Sequence, residues 1–391
     1  MKFSILIPTR NRLDLLRYAI ESVRRQEYDD WEIVVSDNNS DQDVGGYVSS
    51  LSDPRIRYLQ TDRFLPVTDN WNNAIDNSQG DYIIMLGDDD CLLKGCLNSL
   101  AELVTEFADP DALYLEAVQF CYPGVAPGHP KGFVQTSYSD LLRGHARPFL
   151  IRPEEAVRAV RKSMSLRFSF SYNMQHCVVS RRLVLSLVSK GPFFQGPYPD
   201  YYASNVVMLE ATEILAVPQA MIGIGISPRS FGYYYLNHRA GEGMAELATL
   251  ADRFVPREVR ARLLPGNPLL SSWYASMAWV EHNFGDRHGV RVDTSRYRYL
   301  QAIYAVRAEG LGAVLAYWPL LDVVEKVHLV VRAMVLWLPS RALRGRLRSR
   351  YVDSFWRKES PWPTFDAHVR TVDHMTILDL FEAMPATEAR L

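Results

Sequence analysis

The chain has 391 residues, enough for one catalytic domain and a sizeable appendage. Hydrophobic residues make up 48% of it and charged residues 23%, which are ordinary values for a folded protein. Because the formal net charge is only -2, no global electrostatic attraction favours a nucleic-acid partner, and we expect none.

The N-terminus and the cysteines indicate the cellular setting. The apolar run at 3–7 ends at a proline, so it is too short for the hydrophobic region of a signal peptide. No segment reaches about eighteen consecutive uncharged apolar residues, so we predict no membrane-spanning helix. The four cysteines (Cys91, Cys96, Cys121 and Cys177) lack CxxC spacing, which disfavours a zinc site or disulfide framework and favours reduced thiols. We therefore expect the catalytic part to face the cytoplasm.

The first 120 residues alternate between strand and helix patterns. Short apolar runs predict five strands, at 3–7, 32–36, 55–60, 82–86 and 112–120. Apolar residues at helical spacing predict helices between them. This alternation predicts an α/β fold with a mainly parallel, doubly covered sheet, in which ligands bind beyond the carboxyl ends of the strands.

Acidic residues follow two of these strands. Asp88, Asp89 and Asp90 repel one another unless a cation or a donor-rich ligand lies between them. One or two carboxylates completed by phosphate oxygens are the usual site for Mg²⁺ or Mn²⁺. The alternative is a solvated acidic turn that caps the helix beginning near Leu93. Asp37 follows the second strand, where it either accepts hydrogen bonds from a base or ribose or forms an Asx-turn.

Four ordered motifs resemble those of the family 2 glycosyltransferases, which have the Rossmann-type GT-A fold. They are ILIPTRNR at 5–12, VVSDNNS at 34–40, NWNNAI at 70–75 and GDYIIMLGDDD at 80–90. The clear resemblance covers residues 1–120, and a weaker one extends to about residue 240. Neither GxGxxG nor GxxxxGK(S/T) follows the first strand, which disfavours a dinucleotide-binding or P-loop site.

This resemblance, with the helical pattern of the C-terminal part, implies a domain organisation and a donor site. A GT-A domain is expected at 1–240, with the nucleotide-sugar site in 1–120 and the acceptor side in 121–240. A mostly helical domain is expected at 241–391. The residues assigned to the nucleotide sugar are Pro8, Thr9, Arg10, Arg12, Asp37, Asn70, Asp88 and Asp89.

The same resemblance identifies 88–90 as a DxD-type motif, which binds ribose and, through Mn²⁺ or Mg²⁺, the diphosphate. The family commonly has Leu-Asp-x-Asp-Asp, whereas Gly87 follows Leu86 in this chain. The acidic pair is therefore either Asp88 with Asp90 or Asp89 with Asp90. We expect Asp90 to bind the metal, with Asp88 as a second candidate ligand.

A late histidine is a further candidate metal ligand. His238 lies in a tyrosine-rich run, and some GT-A enzymes add a histidine from this part of the chain to the metal site. Arg239 beside it is a candidate contact for the diphosphate. His176 lies in a strand-like run, where a lone histidine is more often structural.

Asp200 is the predicted catalytic base. It follows a segment rich in glycine and proline at 191–199 and opens a predicted helix at 200–209. A positioned carboxylate that removes the proton of an acceptor hydroxyl accelerates a reaction about 10²–10⁴-fold. The alternative is that Asp200 caps this helix. Inverting members of the resembled family place a catalytic acid near a helix start in this region, which favours the catalytic role for Asp200 over Glu210 and Glu213.

The C-terminal part is predicted to be helical and basic. Apolar residues recur at helical spacing from about residue 267, and another apolar helix is predicted around 323–335. Five arginines and no acid follow at 340–350. An apolar helix beside an arginine run indicates peripheral contact of 311–350 with an anionic membrane leaflet. The alternative is a helical unit packed on the catalytic domain or on a second copy in a homo-oligomer, with solvated arginines.

Together with the resemblance, these observations predict a metal-dependent transferase, and the resemblance implies an inverting hexosyltransferase. The resemblance implies transfer from a nucleotide-diphosphate sugar to a sugar or lipid-linked glycan, in surface polysaccharide or glycolipid biosynthesis. Two alternatives stay open. A sugar-phosphate nucleotidyltransferase usually carries a glycine-rich N-terminal loop, whereas 8–12 contains no glycine. A non-catalytic nucleotide- or glycan-binding relative would not need an intact acidic cluster together with Asp200.

Overall fold

The first strands lie where the short apolar runs predict them. The computed structural model describes residues 1–136, 139–237, 242, 255–310, 312–342 and 370–384, so His238, Arg239 and the arginines at 344–350 lie outside the described residues. In chain order the strands are β1 (Phe3–Thr9), β2 (Trp31–Asp37), β3 (Ile56–Gln60), β4 (Tyr82–Met85), β5 (Cys91–Leu92), β6 (Ala112–Cys121), β7 (Phe133–Thr136), β8 (Phe149–Leu150), β9 (Cys177–Ser180), β10 (Ile214–Ile226) and β11 (Arg370–Thr371). The first four strands and β6 begin and end within two residues of their predicted bounds.

Helices connect most of these strands and form the C-terminal part. In chain order they are α1 (Leu13–Arg24), α2 (Val44–Ser50), α3 (Val67–Asp76), α4 (Cys96–Glu106), α5 (Pro153–Met164), α6 (Arg181–Ser186), α7 (Pro199–Glu210), α8 (Phe231–Leu236), α9 (Arg257–Arg260), α10 (Pro268–His288), α11 (Thr294–Glu309), α12 (Ala313–Tyr317), α13 (Val323–Ala342) and α14 (Ile377–Ala383). Short 3₁₀ turns lie at Met174–His176, Val188–Lys190 and Trp318–Leu320.

The described strands belong to one mixed sheet whose central part is mostly parallel. Along its main path the strand order is β11-β7-β6-β9-β4-β1-β2-β3. β1 pairs in parallel with β2 and β4, and β2 pairs in parallel with β3. β9 lies antiparallel between β4 and β6, and β10 pairs in parallel with β6. The predicted α/β class with a central, mostly parallel sheet is confirmed.

Both faces of this sheet are covered, which explains why its strands are continuous apolar runs rather than alternating ones. In β1, Phe3, Ile5 and Ile7 belong to a core shared with α1 and α4. Leu6 belongs to the core on the other face, which α3, α5 and α7 cover. The carboxyl ends of the parallel strands therefore meet at one edge of the sheet, with helices on both sides.

The chain returns to the first domain near its C-terminal end. β11 pairs antiparallel with β7, and Leu380 of α14 is fully buried in the same core as α1 and β5. Helix α10 also packs on the first domain, because Trp273 is fully buried in the core shared with α5 and α7. Ile377, Leu380 and Phe381 of α14 therefore belong to the core that α1 and β5 form, and the predicted C-terminal domain over 241–391 stays a prediction. The boundary near residue 240 stays a prediction.

Helices α11, α12 and α13 share a small core of their own. Its members are Leu264, Ala302, Ile303, Ala305, Tyr317, Leu321 and Leu329. The buried Glu325 of α13 forms an ion pair with Arg298 of α11 at 3.0 Å. Among the helices that the structure describes, none combines the length and the apolar character needed to cross a bilayer.

The substitution Leu380→Ala should destabilise the protein, because it removes a fully buried side chain from the core that α1, β5 and α14 share. We expect the free energy of unfolding to fall by about 2–5 kcal/mol. Chemical denaturation measures the change, with Met375→Ala as the control because Met375 is 66% exposed. Equal effects of the two substitutions would contradict the docking of α14 on this core.

Candidate active site

The acidic turn at 87–90 lies between β4 and β5, at the carboxyl edge of the parallel strands. Oδ2 of Asp88 accepts a hydrogen bond from Oγ1 of Thr9 at 2.7 Å, and its Oδ1 forms an ion pair with Arg12 at 3.1 Å. Thr9 ends β1, and Arg12 directly precedes α1. The β1–α1 loop and the acidic turn therefore form one wall, which brings together three residues predicted for the donor site.

Asp90 connects the acidic turn to two neighbouring elements. Its Oδ1 accepts a hydrogen bond from the backbone N–H of Gly225 in β10 at 2.8 Å. Its Oδ2 accepts from the N–H of Gly87 at 2.7 Å and from Nε2 of Gln175 at 2.6 Å. Both oxygens of this buried side chain are thus bonded within the protein. Metal binding by Asp90 stays a prediction, and its hydrogen bonds favour a positioning role.

Asp89 has fewer protein contacts. Its Oδ2 accepts a hydrogen bond from the hydroxyl of Ser227 at 2.7 Å, and no other side chain in the described part of the chain donates to it. Burial raises the pKa of Asp89, the Arg12 guanidinium opposes this, and the charge of Asp88 adds to it. Burial and then the charge of Asp89 raise the pKa of Asp90. A cluster in which burial disfavours the ionised carboxylates is one that a divalent cation stabilises.

The turn fits a divalent cation that takes most of its ligands from water and substrate. Within the described ranges, no group of three or more His, Cys, Asp or Glu side chains is arranged to hold a metal ion. Mg²⁺ commonly uses one or two carboxylates and completes its shell with water and phosphate oxygens. Oε1 of Gln175, whose Nε2 donates to Asp90, is buried without a hydrogen-bond partner among the described residues. Gln175 therefore offers a further oxygen acceptor beside the acidic turn. His238, the third predicted ligand, lies outside the described residues.

Asp37 forms the turn that follows β2. Its Oδ2 accepts a hydrogen bond from the hydroxyl of Tyr58 at 2.7 Å, and its Oδ1 accepts from the N–H of Ser40 at 3.0 Å. The second bond belongs to a local Asx-type turn, which is the structural role weighed for this residue. The side chain is fully buried. Contact of Asp37 with a base or ribose stays a prediction.

Asn70 of α3 supports the same strand. Its Oδ1 accepts a hydrogen bond from the hydroxyl of Ser36 at 2.8 Å, and its Nδ2 donates to the carbonyl oxygen of Ser36 at 3.2 Å. Pro8 lies on the other side, because it pairs with Ser36 in the register of β1 and β2. Both residues therefore fix the end of β2, and their contact with the nucleotide stays a prediction.

Arg10 has an unused donor at the β1–α1 loop. Its guanidinium carbon lies 4.4 Å from the ring centroid of Phe64, which is a cation–π contact. Its Nε is buried and has no hydrogen-bond partner among the residues that the structure describes. A buried donor without a partner is costly unless a ligand or water satisfies it. Its place beside Thr9 suits an oxygen-rich ligand such as a nucleotide.

The segment 227–231 after β10, which we call the latch, contacts the β1–α1 loop and the acidic turn and was not identified from the sequence. Nη1 of Arg229 donates to the carbonyl oxygen of Asn11 at 2.8 Å and forms an ion pair with Asp14 at 3.1 Å. Arg12 donates in return to the carbonyl oxygen of Arg229. These contacts join positions 215 to 218 residues apart, so no local sequence pattern marks them.

Asp200 lies in the first turn of α7 and does not cap this helix. The N-cap residue is Tyr198, and Pro199 occupies the first helical position. Oδ1 of Asp200 accepts a hydrogen bond from the N–H of Tyr201 at 2.9 Å. Burial raises the pKa of Asp200 to about 7, against the smaller opposite effect of backbone N–H groups. The side chain is partly exposed. A carboxyl group with these properties is suited to general base catalysis at neutral pH.

Aromatic rings surround the start of α7. The ring centroid of Tyr201 lies 4.7 Å from that of Tyr172 and 5.6 Å from that of Trp273. The ring of Tyr198 lies 5.8 Å from that of Phe231 in the latch. The latch thus contacts the acidic turn at one end and the start of the helix that carries Asp200 at the other.

The alternative acids are less suitably placed. Glu210 is the last residue of α7, and its Oε1 lies 2.6 Å from Nε2 of His288. Glu213 lies beyond the helix and is exposed. Neither shares the start of α7 with Asp200.

His176 has the structural role that its strand-like context favours. Its ring stacks on Tyr114 at 5.7 Å between centroids, and Nδ1 lies 2.7 Å from the carbonyl oxygen of Leu115. Burial lowers the pKa of His176 to about 4. The imidazole is therefore neutral at physiological pH and donates from Nδ1.

Known proteins match the first part of the chain. Residues 4–150 match the family model described as glycosyl transferase family 2. A GalNAc(5)-diNAcBac-PP-undecaprenol beta-1,3-glucosyltransferase of Campylobacter jejuni is 39% identical over 108 residues, which are 27% of this chain and 35% of that protein. The putative colanic acid biosynthesis glycosyl transferase WcaA of Escherichia coli is 42% identical over 89 residues, which are 22% and 32%. The matched segments span about a third of the length of these relatives.

Two solved structures resemble the chain at low sequence identity. Residues 1–349 of Staphylococcus aureus TarS, in complex with UDP-GlcNAc, align with a TM-score of 0.47 at 13% identity, over 96% of this chain and 97% of that chain. The mannosyltransferase PcManGT from Pyrobaculum calidifontis, in complex with GDP-Man and Mn²⁺, aligns with a TM-score of 0.40 at 14% identity, over 91% and 86%.

The substitution Gly225→Ala should disrupt the acidic turn, because a Cβ atom at this position would lie 1.9 Å from the carbonyl oxygen of Asp89. The backbone must shift, which weakens the hydrogen bond from Gly225 to Asp90. We expect the free energy of unfolding to fall by about 2 kcal/mol or more. Thermal and chemical unfolding measure it against Gly312→Ala, where the added Cβ meets no atom within 4 Å. Equal stability of the two variants would show that β10 does not hold the turn.

Proposed function

We infer that this chain, which belongs to glycosyl transferase family 2 through its residues 4–150, transfers a sugar from a nucleotide-diphosphate sugar to an acceptor hydroxyl. One arrangement carries the inference: a buried acidic turn is joined to the β1–α1 loop, and a second carboxyl group with a pKa of about 7 opens α7. The acidic turn is suited to bind the leaving group of the donor. The carboxyl group of Asp200 is suited to take the proton of the acceptor hydroxyl.

A divalent metal ion, Mn²⁺ or Mg²⁺, is part of this proposal because the acidic turn fits one. We assign its protein ligands to Asp89 and Asp88, because fewer protein donors occupy their oxygens than those of Asp90. Asp90 then positions the turn, and His238 stays a predicted ligand. When bound, the ion supplies positive charge that stabilises the departing diphosphate.

Two arginines are suited to bind the diphosphate of the donor. Arg12 forms an ion pair with Asp88, and Arg229 forms one with Asp14, so both guanidinium groups lie at the β1–α1 loop. A planar guanidinium with several N–H donors matches phosphate oxygens well. Thr9 and Arg10 belong to the same loop, and we assign this loop to the nucleotide.

Asp200 acts on the acceptor in this proposal. Its carboxylate takes the proton of the acceptor hydroxyl while the hydroxyl oxygen forms a bond to C1 of the donor sugar. The bond from C1 to the diphosphate oxygen breaks, and its electron pair leaves with the nucleoside diphosphate. A single displacement of this kind inverts the configuration at C1, so we propose an inverting hexosyltransferase.

The proposed acceptor is a sugar of a lipid-linked glycan in surface polysaccharide or glycolipid biosynthesis. One relative is named for a PP-undecaprenol-linked saccharide, and another is named for colanic acid biosynthesis. The partly exposed Tyr201, beside Asp200, offers an aromatic face against which a sugar ring packs well. All four cysteines are unpaired and buried, which fits the cytoplasmic setting that we propose for the reaction.

A panel of nucleoside diphosphates and nucleotide sugars, each with and without Mn²⁺, tests the donor site. We expect one nucleotide family to raise the melting temperature in a metal-dependent way, because a ligand that binds the folded state stabilises it by mass action. The variant Asp89→Asn should lose the metal-dependent part of this shift. If no nucleotide changes the melting temperature when metal is present, the donor site is refuted and a non-catalytic relative becomes the better interpretation.

The variant Asp200→Asn tests the base. Turnover should fall about 10²–10⁴-fold while donor-induced thermal stabilisation stays unchanged. Since the pKa of Asp200 is raised to about 7, the wild-type rate should rise with pH through about 7 as the carboxylate forms, and the variant should lose this dependence.

Stability provides a second readout for the same variant. Burial disfavours the charged form of Asp200, so Asp200→Asn should not lower the free energy of unfolding at pH 8, whereas loss of a helix cap costs about 1 kcal/mol. Glu213→Gln, at an exposed position, is the control for both measurements. Near-normal turnover of Asp200→Asn would remove this residue from the mechanism.

A further inference from the structure

The exposed large hydrophobic side chains of the described residues are concentrated in one segment of the chain, 315–334. Of the thirteen large hydrophobic side chains that are exposed, eight lie between residues 315 and 334. These eight, which we call the α12–α13 face, are Leu315, Trp318, Leu320, Val323, Val324, Val327, Val331 and Met334. Isolated exposed hydrophobic residues are ordinary, but a cluster of them marks an interaction surface.

Half of this face is a continuous stripe along α13. Val323, Val327, Val331 and Met334 follow one another at intervals of four, four and three residues, which places them on the same side of the helix. Each of the four is more than half exposed. Leu329 points away from the stripe, into the core shared with α11 and α12. The helix therefore carries apolar residues on its outer side as well as on the side that packs in this core.

The 3₁₀ turn before α13 extends the stripe. Trp318 is 39% exposed, and Nζ of Lys326 lies 5.5 Å from its ring centroid. The indole therefore lies near the first turn of α13, where Lys326 is. Tryptophan is enriched where proteins meet the headgroup layer of a bilayer.

Basic residues predominate in the sequence of α13 and of the segment after it, and Asp322, directly before α13, is an exposed acid beside this stretch. No acidic residue occurs between Glu325 and Asp353, and this stretch contains seven basic residues. They are Lys326, Arg332, Arg341, Arg344, Arg346, Arg348 and Arg350, of which those at 344–350 lie outside the described residues. Glu325 itself is buried in its ion pair with Arg298, so it does not offset this charge at the surface.

We propose that the α12–α13 face binds an anionic lipid surface. Burial of the apolar stripe and attraction between basic residues and anionic headgroups are the two forces that hold an amphipathic helix in a membrane interface. A second copy of the chain fits this face less well, because a twofold contact pairs the face with itself and so offers the basic residues no excess of acidic ones. The inference rests on the proposed function, because binding to a lipid surface would bring the protein to its proposed lipid-linked acceptor.

Co-sedimentation of the full chain with vesicles tests the proposal. Vesicles of phosphatidylcholine containing phosphatidylglycerol should bind at least about tenfold more tightly than vesicles of phosphatidylcholine alone, and added salt should reduce the difference. The double variant Val327→Glu/Val331→Glu should weaken binding to the anionic vesicles at least about tenfold, because it places two acids on the stripe.

A matched control exists elsewhere on the surface. Leu185 and Val188 are 62% and 63% exposed at the end of α6 and in the following 3₁₀ turn, far from the basic stretch in sequence. The double variant Leu185→Glu/Val188→Glu makes the same chemical change and should bind anionic vesicles as the wild type does. Nucleotide-induced thermal stabilisation of both double variants shows that they are folded.

The remaining outcomes separate this inference from others. Equal binding to both kinds of vesicle, or unchanged binding by Val327→Glu/Val331→Glu, overturns it. If analytical ultracentrifugation shows a dimer that this variant dissociates, the face is an interface between copies and the lipid proposal is wrong. A wild-type chain that binds anionic vesicles but is not stabilised by any nucleotide contradicts the proposed function and leaves the lipid surface standing.

Discussion

The burial of three adjacent carboxylates at the end of β4 is the constraint on which the rest of the site depends. An ionised carboxylate away from water is destabilised unless hydrogen bonds or charges replace its hydration. The donors come from separate parts of the chain: the β1–α1 loop, the 3₁₀ turn before β9, β10 and the latch. The shape of the turn therefore depends on elements that meet only in the folded molecule, and burial still raises the pKa of Asp89 and Asp90.

The latch contacts both parts of the proposed active site, the acidic turn and the start of α7. Ser227 contacts Asp89, and Phe231, four residues later, packs against Tyr198 at the start of α7. A stretch of five residues therefore contacts both the acidic turn and the start of the helix that carries Asp200. The ion pairs of Arg12 and Arg229 close the other side, and the pair between Arg229 and Asp14 is about half exposed. An exposed pair of this kind is weak and open to competition by a diphosphate.

Local patterns were sufficient to predict the first strands and the position of the acidic turn. Each of these strands is a short apolar run that both faces of the sheet bury, and the carboxyl ends of parallel strands meet at one edge. The hydrogen-bond partners of Asp90 could not be predicted from local patterns, because Gln175 and Gly225 are 85 and 135 residues away in the sequence. The same limit applies to residues 370–384. Their capping box at Thr376 marks a helix start, but nothing local indicates that this helix packs on α1 and β5.

The comparison of Asp90 with Asp200 shows why pKa and sequence position do not by themselves assign roles. Burial raises the pKa of both carboxyl groups, and both lie at the end of a strand or the start of a helix. Asp90 is 1% exposed and accepts three hydrogen bonds from the protein, so its oxygens are committed to holding the turn. Asp200 is partly exposed and accepts a hydrogen bond from the N–H of Tyr201, so it keeps lone pairs for a proton. A perturbed pKa identifies a base only where the geometry also leaves the group accessible to its substrate.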